Sequence, residues 1–395
     1  FAGVTVRDKI AVIFSGAPES FPITQRAYYS SSLEKLRQLS ERGAVGVLYL
    51  GNPEDEARNP WAKGAANWMR PGMRLLDKNG LPIESFPQLQ AGASINLEAT
   101  RKLLDGAKFS ADVLFDQLKK GKLQAFDLPG TLSMTGNTQL RTLESRNVVG
   151  KLPGSDAKLA AENVVVTGHL DHLGLGVPVN GDAIYNGAVD NALGIGIMLD
   201  TARSASLLSS KPKRSMLFIA LTGEEKGLLG ANYFATHPTV PKKSIVANIN
   251  IDMPVLLNEM LDVVTIGVDH SSLQNQVQQA AKDVGFLLSP DPYPEEVVFV
   301  RSDQFAFVRQ GIPAVYLDGG VIAKDPKVDG KKLMENFLKT HYHQPSDDTT
   351  LPIHYSTAAK MAALNARIGQ LVADDPYRPR WNLGDFFGKK FAGQP

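Results

Sequence analysis

A mixed, largely parallel α/β sheet with helices on both faces is the fold this sequence predicts, and three observations lead to it. Near-continuous Val/Ile/Leu runs recur between 147 and 318, without the apolar–polar alternation of a sheet wetted on one side. Segments with helical apolar spacing separate those runs. Acids and imidazoles gather where the runs end, at the edge where open α/β sheets bind ligands. A smaller α+β domain is expected ahead of this part.

Along the chain, DKIAVIF (8–14) reads as a buried strand and SSLEKLRQLSERGA (31–44) as a helix with a Ser start and a Gly43 stop. AVGVLYLGNP (44–53) reads as the next strand, completing a βαβ-like unit. The Asn-, Gly-, Pro- and Trp-rich stretch from Asn52 to Arg74 is predicted to be a long surface loop. Helices are predicted at 97–106 and 111–121, and TLSMTGNTQLRT (131–142) suggests strands or a linker. The domain boundary is placed there, dividing 1–135 from 146–395. Beyond it, strands are predicted at 147–152, 163–170, 215–221, 245–252, 263–267 and 313–318. Helices are predicted at 190–208, 227–236, 271–284, 303–310 and 355–373.

Composition removes several function classes. With 42 basic and 41 acidic residues the net charge is +1, which gives no global field for nucleic acid or an anionic membrane surface. Zero cysteines exclude disulfides, thiolate metal sites and cysteine nucleophiles. No apolar run approaches the ~20 residues that span a bilayer. The start at Phe1-Ala2-Gly3 reads as a processed or truncated product.

Five clusters carry chemistry-bearing residues. In GHLDHLG (168–174), His169 and Asp171 lie two apart at a strand end, so they can point the same way. That suits a metal-ligating imidazole whose other nitrogen donates to a carboxylate, although a capped polar strand end has the same pattern. In YNGAVDNALGIG (185–196), Asp190 taken alone is a helix N-cap. In TGEEKGLLG (222–230), Glu224 and Glu225 follow a buried strand, where two carboxylates need a cation or a solvated helix start. In NINIDMP (248–254), Asp252 is either a ligand or the opening of a turn. In HYHQPSD (341–347), Asp347 is close enough in sequence to orient His343, and His341 reads as a surface histidine. Two histidines, two aspartates and a glutamate form a nitrogen/oxygen ligand set suited to zinc, with cobalt or manganese as substitutes. Five ligands serve two three-ligand sites only if one carboxylate bridges, and Asp190 is the natural bridge.

His-x-Asp, Asp-Asn before a Gly-containing helix, Glu-Glu, Asn-x-Asp-Met and Tyr-His-x-Pro-Ser-Asp occur here in a family order. Across about 146–395 the chain closely resembles the two-zinc aminopeptidases typified by secreted Vibrio and Streptomyces enzymes. The resemblance implies two zinc ions per chain, one held by His169, Asp190 and Asp252 and the other by Asp190, Glu225 and His343. It implies Glu224 as general base, Asp171 as partner of His169 and a cis Asp190–Asn191 peptide. RSDQFAF (301–307) resembles a substrate-pocket segment, with Arg301 a substrate contact and Ser302 and Asp303 ordering the loop; Tyr342 resembles an oxyanion-steadying tyrosine. Val189 departs from the acidic residue that many relatives carry, at a position that is not a ligand.

Residues 1–135 resemble a protease-associated domain, which in relatives is inserted after an amino-terminal catalytic segment; that segment is expected to be absent here. Kinship implies peptide substrates and an extracytoplasmic place, secreted or periplasmic. A glutamate-releasing carboxypeptidase, a one-zinc glutaminyl cyclase and an inactive binding protein of the same fold are the competing readings.

Overall fold

The structure is a computed structural model that describes residues 3–58, 60–66 and 68–393. It divides into two compact units, the first running to Leu143 and the second starting at Glu144.

The first unit holds a parallel three-stranded sheet in the order β1 (Ile10–Phe14), β2 (Gly46–Leu50), β3 (Ala91–Ile95). Alternate residues of β2 enter different apolar clusters, Leu48 and Leu50 with Leu104 and Leu114, and Val47 with Leu39 and Ala44. Between β1 and β2 runs the expected helix, Ser32–Glu41, preceded by another at Ile23–Ser30 that local spacing did not reveal. The stretch from Asn52 is not simply a loop. It contains the short helices Pro53–Arg58 and Trp61–Ala66, the first capped by Asn52, whose Oδ1 accepts from the Glu54 and Asp55 amides. The segment 131–142 has no regular structure, so of the two readings the strands fail.

In the second unit the strands are β4 (Val148–Leu152), β5 (Asn163–His169), β6 (Gly174–Val179), β7 (Asp182–Tyr185), β8 (Ser215–Leu221), β9 (Ile245–Asn250), β10 (Asp262–Ile266), β11 (Leu287–Pro290) and β12 (Ala314–Gly319). Seven of them form one sheet in the order β11-β10-β12-β9-β5-β8-β4, while β6 and β7 pair separately as an antiparallel hairpin. The centre, β12-β9-β5-β8, is parallel; β4 and β10 run against their neighbours β8 and β12.

The continuous apolar runs are explained by burial on both faces. Val164 and Val166 of β5 pack with Ile197, Val277 and Ile368, from the helices Gly194–Ser206, Leu273–Val284 and Tyr355–Asp374. Val165 faces the opposite way, with Phe234 and Phe307 of the helices Leu229–Thr236 and Gln304–Val308. The sheet is therefore mixed, largely parallel and covered on both sides.

Arg214 locks the start of β8 to the far end of the long helix. Its side chain is fully buried, with Nε donating to Glu162 Oε2 at 2.7 Å and the guanidinium donating to the carbonyls of Val372 and Asp375. Replacing it with methionine leaves the two carbonyls without the guanidinium and Glu162 with Arg378 alone, and should cost about 3 kcal/mol. A urea midpoint of the second unit's transition unchanged in Arg214→Met would contradict this.

Candidate metal centre

Three adjacent parallel strands bring the motifs together. His169 is the last residue of β5, Glu224 and Glu225 open the single turn after β8, and Asp252 lies just beyond β9. Because β8, β5 and β9 are neighbours running the same way, their carboxyl ends share one edge. Asp190 comes from the turn Ala188–Leu193 that leads into the helix Gly194–Ser206, and His343 from the segment after the helix Gly330–Thr340.

The side chains converge as two clusters sharing one residue. His169 Nε2 lies 3.0 Å from Asp252 Oδ1 and 3.2 Å from Asp190 Oδ1. His343 Nε2 lies 3.1 Å from Glu225 Oε2 and 3.4 Å from Asp190 Oδ2. Each oxygen of Asp190 thus faces a different cluster. Around a cation with ligands at about 2.0–2.2 Å, neighbouring corners of a tetrahedron stand about 3.3 Å apart. The observed spacings match that edge, and the donors are the imidazoles and carboxylates that zinc takes. The residues present fit such an ion.

A surrounding network fixes the orientation of these side chains. His169 Nδ1 donates to the backbone carbonyl of Asp171 at 3.0 Å, which leaves Nε2 facing Asp190 and Asp252. The sequence pattern pointed to the carboxylate of Asp171 for that bond, but its Oδ1 is 4.0 Å away and accepts instead from the Glu224 amide at 3.1 Å. The chain turns directly after His169, so the carbonyl reaches the ring and the side chain reaches the next strand's loop. Asp347 is also differently used. Its two oxygens accept from the amides of Val189 at 2.8 Å and Asp190 at 3.0 Å, so it holds the backbone of the shared aspartate rather than the ring of His343.

On the other side, Thr167 donates to Asn250, Asn250 to Ser302, and Ser302 to Asp252 Oδ2. Ser302 thereby aims Asp252, a role that loop ordering did not suggest. Asn191 bonds the carbonyl of Ile251 and the amide of Met253, tying the turn of Asp190 to the strand end before Asp252. The Asp190–Asn191 peptide is cis. Gly194 leaves room for the Asn191 side chain, since a Cβ there would stand 1.9 Å from Asn191 Oδ1.

The remaining expectations are placed as follows. Tyr342 stacks on His343 with centroids 3.8 Å apart. Arg301 is held by Glu296, with 3.1 Å to both its carbonyl and its carboxylate, so it reaches no ligand residue in this arrangement. His341 bonds Ser346 and is outside both clusters. One residue of the site went unread: His172, whose Nδ1 lies 2.8 Å from Glu225 Oε1 and 3.8 Å from Asp190 Oδ2. The available signal was a second histidine in GHLDHLG, but strand periodicity ends at His169 and says nothing about where the following turn points.

Family comparison agrees with this geometry. The model of peptidase family M28 matches residues 147–368, more than half of the chain. The chain belongs to peptidase family M28. Among curated proteins, a vacuolar membrane protease of Lachancea thermotolerans is 27% identical over 213 residues, 51% of this chain and 20% of that protein. A glutamate carboxypeptidase 2 homolog of Caenorhabditis elegans is 29% identical over 158 residues, 39% of this chain and 18% of that protein. The chain therefore spans only about a fifth of the length of these relatives. Among solved structures, an aminopeptidase from Aneurinibacillus sp. strain AM-1 superposes with a TM-score of 0.50 at 19% identity, over 96% of this chain and 75% of that one, a likeness of fold.

Packing so many charges together perturbs their protonation. Burial opposes charge on both imidazoles, but the neighbouring carboxylates outweigh it, raising His169 well above its ordinary range and His343 to about 9. Burial, with the charge of Asp252, raises Glu224 well above the carboxylate range and Asp303 to about 8. Asp190 is pulled below its range: burial works against this, and the hydrogen bonds of His169 and His343 prevail.

For His169, His343, Glu224 and Asp303 the folded pKa exceeds the unfolded one. The stability each contributes is full below its ordinary pKa, about 4 for the acids and about 6.5 for the imidazoles, and is lost as pH rises through the folded value. Asp190 acts oppositely, but only in acid. Chelator-treated protein should thus melt at a lower temperature near pH 9 than near pH 6; a flat or rising calorimetric Tm over that interval contradicts the arrangement.

Proposed function

We propose that this chain is a two-zinc exopeptidase that removes amino-terminal residues from peptides. The observation that carries the proposal is the division of Asp190, one carboxylate oxygen toward His169 and Asp252, the other toward His343 and Glu225. His169, Asp190 and Asp252 would hold one ion, and Asp190, Glu225 and His343 the other. Bound zinc supplies Lewis-acid polarisation of the scissile carbonyl and acidifies a water.

The chain's own groups do the rest. Glu224 takes the proton of the attacking water and passes it to the leaving amine. Asp171 holds the Glu224 backbone and, through its carbonyl, the His169 ring. Tyr342 is the proposed donor to the tetrahedral oxyanion, supported by its stacking on His343. Arg301 is assigned to the substrate; one of its guanidinium nitrogens, Nη1, is held by Glu296.

We further propose that the first unit is a protease-associated domain and that the protein works outside the cytoplasm. No helix of the described residues is long and apolar enough to cross a membrane.

Glu224→Gln should retain zinc yet lose at least ~10²-fold in kcat on aminoacyl-p-nitroanilides; turnover near the parent's removes Glu224 from the role. Free amino-terminal peptides should be cleaved and acetylated ones spared. Cleavage of both from the carboxyl end would instead favour a carboxypeptidase, the activity in the name of the Caenorhabditis relative. Metal content measured on the same sample should be two zinc ions, whereas one would favour a glutaminyl cyclase. Chelation should abolish hydrolysis and zinc restore it; indifference to chelation excludes the metal mechanism.

A further inference from the structure

We infer that His172 is a fourth protein ligand at the second cluster, binding through Nδ1 the same cation as Asp190, Glu225 and His343. The inference rests on the two-metal reading above and adds a donor to it. The His172 side chain is 7% exposed. Both of its ring nitrogens are buried without a hydrogen-bond partner among the described residues, and so is Glu225 Oε1. Yet His172 Nδ1 and Glu225 Oε1 are 2.8 Å apart. Two buried polar atoms that close, with no hydrogen bond between them, are spaced like neighbouring ligands of one ion.

The distances agree with a cation of more than four ligands. Donors at right angles around an ion with bonds of about 2.0–2.1 Å stand about 2.9 Å apart. Asp190 Oδ2 is 3.8 Å from His172 Nδ1, so the same point lies within reach of the bridging oxygen. His172, Asp190 and Glu225 each present one ligand atom within a sphere that would admit a metal ion. The two imidazoles do not compete for one position: the rings of His172 and His343 meet edge-on, with centroids 5.7 Å apart and planes at 65°.

The fold also makes a seat for the ring. Gly187 sits at φ 70°, and a Cβ there would stand 2.6 Å from His172 Cγ and 2.9 Å from its Cβ. A side chain at 187 would push the imidazole out of the cluster. That space is left by the same loop that carries Asp190, so the seat and the bridge are built together.

The consequence is an asymmetric pair. The second cluster has four protein donors, and the first has His169, Asp190 and Asp252. An added protein donor tightens the hold on an ion and takes up a position that water or substrate would otherwise use. The ion beside His172 is therefore the tightly held one, and the ion beside His169 the one with room for substrate.

Chelated protein is titrated with zinc against a chromophoric chelator, for the parent, His172→Gln and His172→Ala. The parent should show two unequal dissociation constants. Both variants should weaken the tighter one by at least ~10-fold and leave the other within about twofold. Both constants unchanged in the variants, while the parent takes up two ions, overturns the role of His172 alone; no uptake by the parent overturns the two-metal reading with it. A measurement on the parent guards against variants that fail to fold. X-ray absorption with a single equivalent of zinc should fit about two imidazoles per ion, and a fit to one overturns the inference.

Discussion

The structure turns on one carboxylate, Asp190, being held so that its two oxygens look in different directions. One oxygen meets His169 and the other meets His343, and every other charged group of the site is placed relative to that division. Four carboxylates, Asp190, Glu224, Glu225 and Asp252, crowd the carboxyl edge of β5, β8 and β9, and like charges so close in a buried place repel. Burial first, and then the neighbouring charge, pushes Glu224 and the fully buried Asp303 upward, while the carboxylates outweigh burial at the imidazoles and make them hold protons tightly. A pair of dications would remove the same conflict without protons and free the imidazoles as ligands.

Holding Asp190 in place is a task for backbone and amide groups rather than for ligands. Asp347 accepts the amides of Val189 and Asp190, Asn191 binds the strand end before Asp252, and Gly194 gives Asn191 its space. From the far side, the chain of donors Thr167, Asn250 and Ser302 ends on Asp252. These contacts come from segments far apart in sequence, so the precision of the site is a property of the sheet and its loops together.

Much of the fold was legible because two-sided burial leaves a plain trace. The run SMLFIAL is β8 to the residue, and every side chain after Ser215 is apolar whichever face it meets. The residues of the candidate site were legible for a related reason: an acid or imidazole ending such a run has no role in packing. Weaker elements escaped. The strand AGASI has no apolar run because it is an edge strand with three of its five residues exposed, and the hairpin of β6 and β7 exposes Leu175, Val177 and Ile184. The helices within 53–66 were hidden by Asn, Pro and Gly, residues that also make caps.

By itself, then, the amino-acid order determined which segments are buried strands, where they end, and which chemically capable residues stand at those ends, because hydrophobic burial and strand period are local properties of a chain. Only the tertiary structure decided what each of those residues touches. It gave His169 the carbonyl of Asp171 instead of its carboxylate, gave Asp347 to the backbone of Asp190, and turned His172 back toward Glu225. Those partners depend on the path of loops after the strands, and a loop's path is set by contacts with distant segments that no local pattern records.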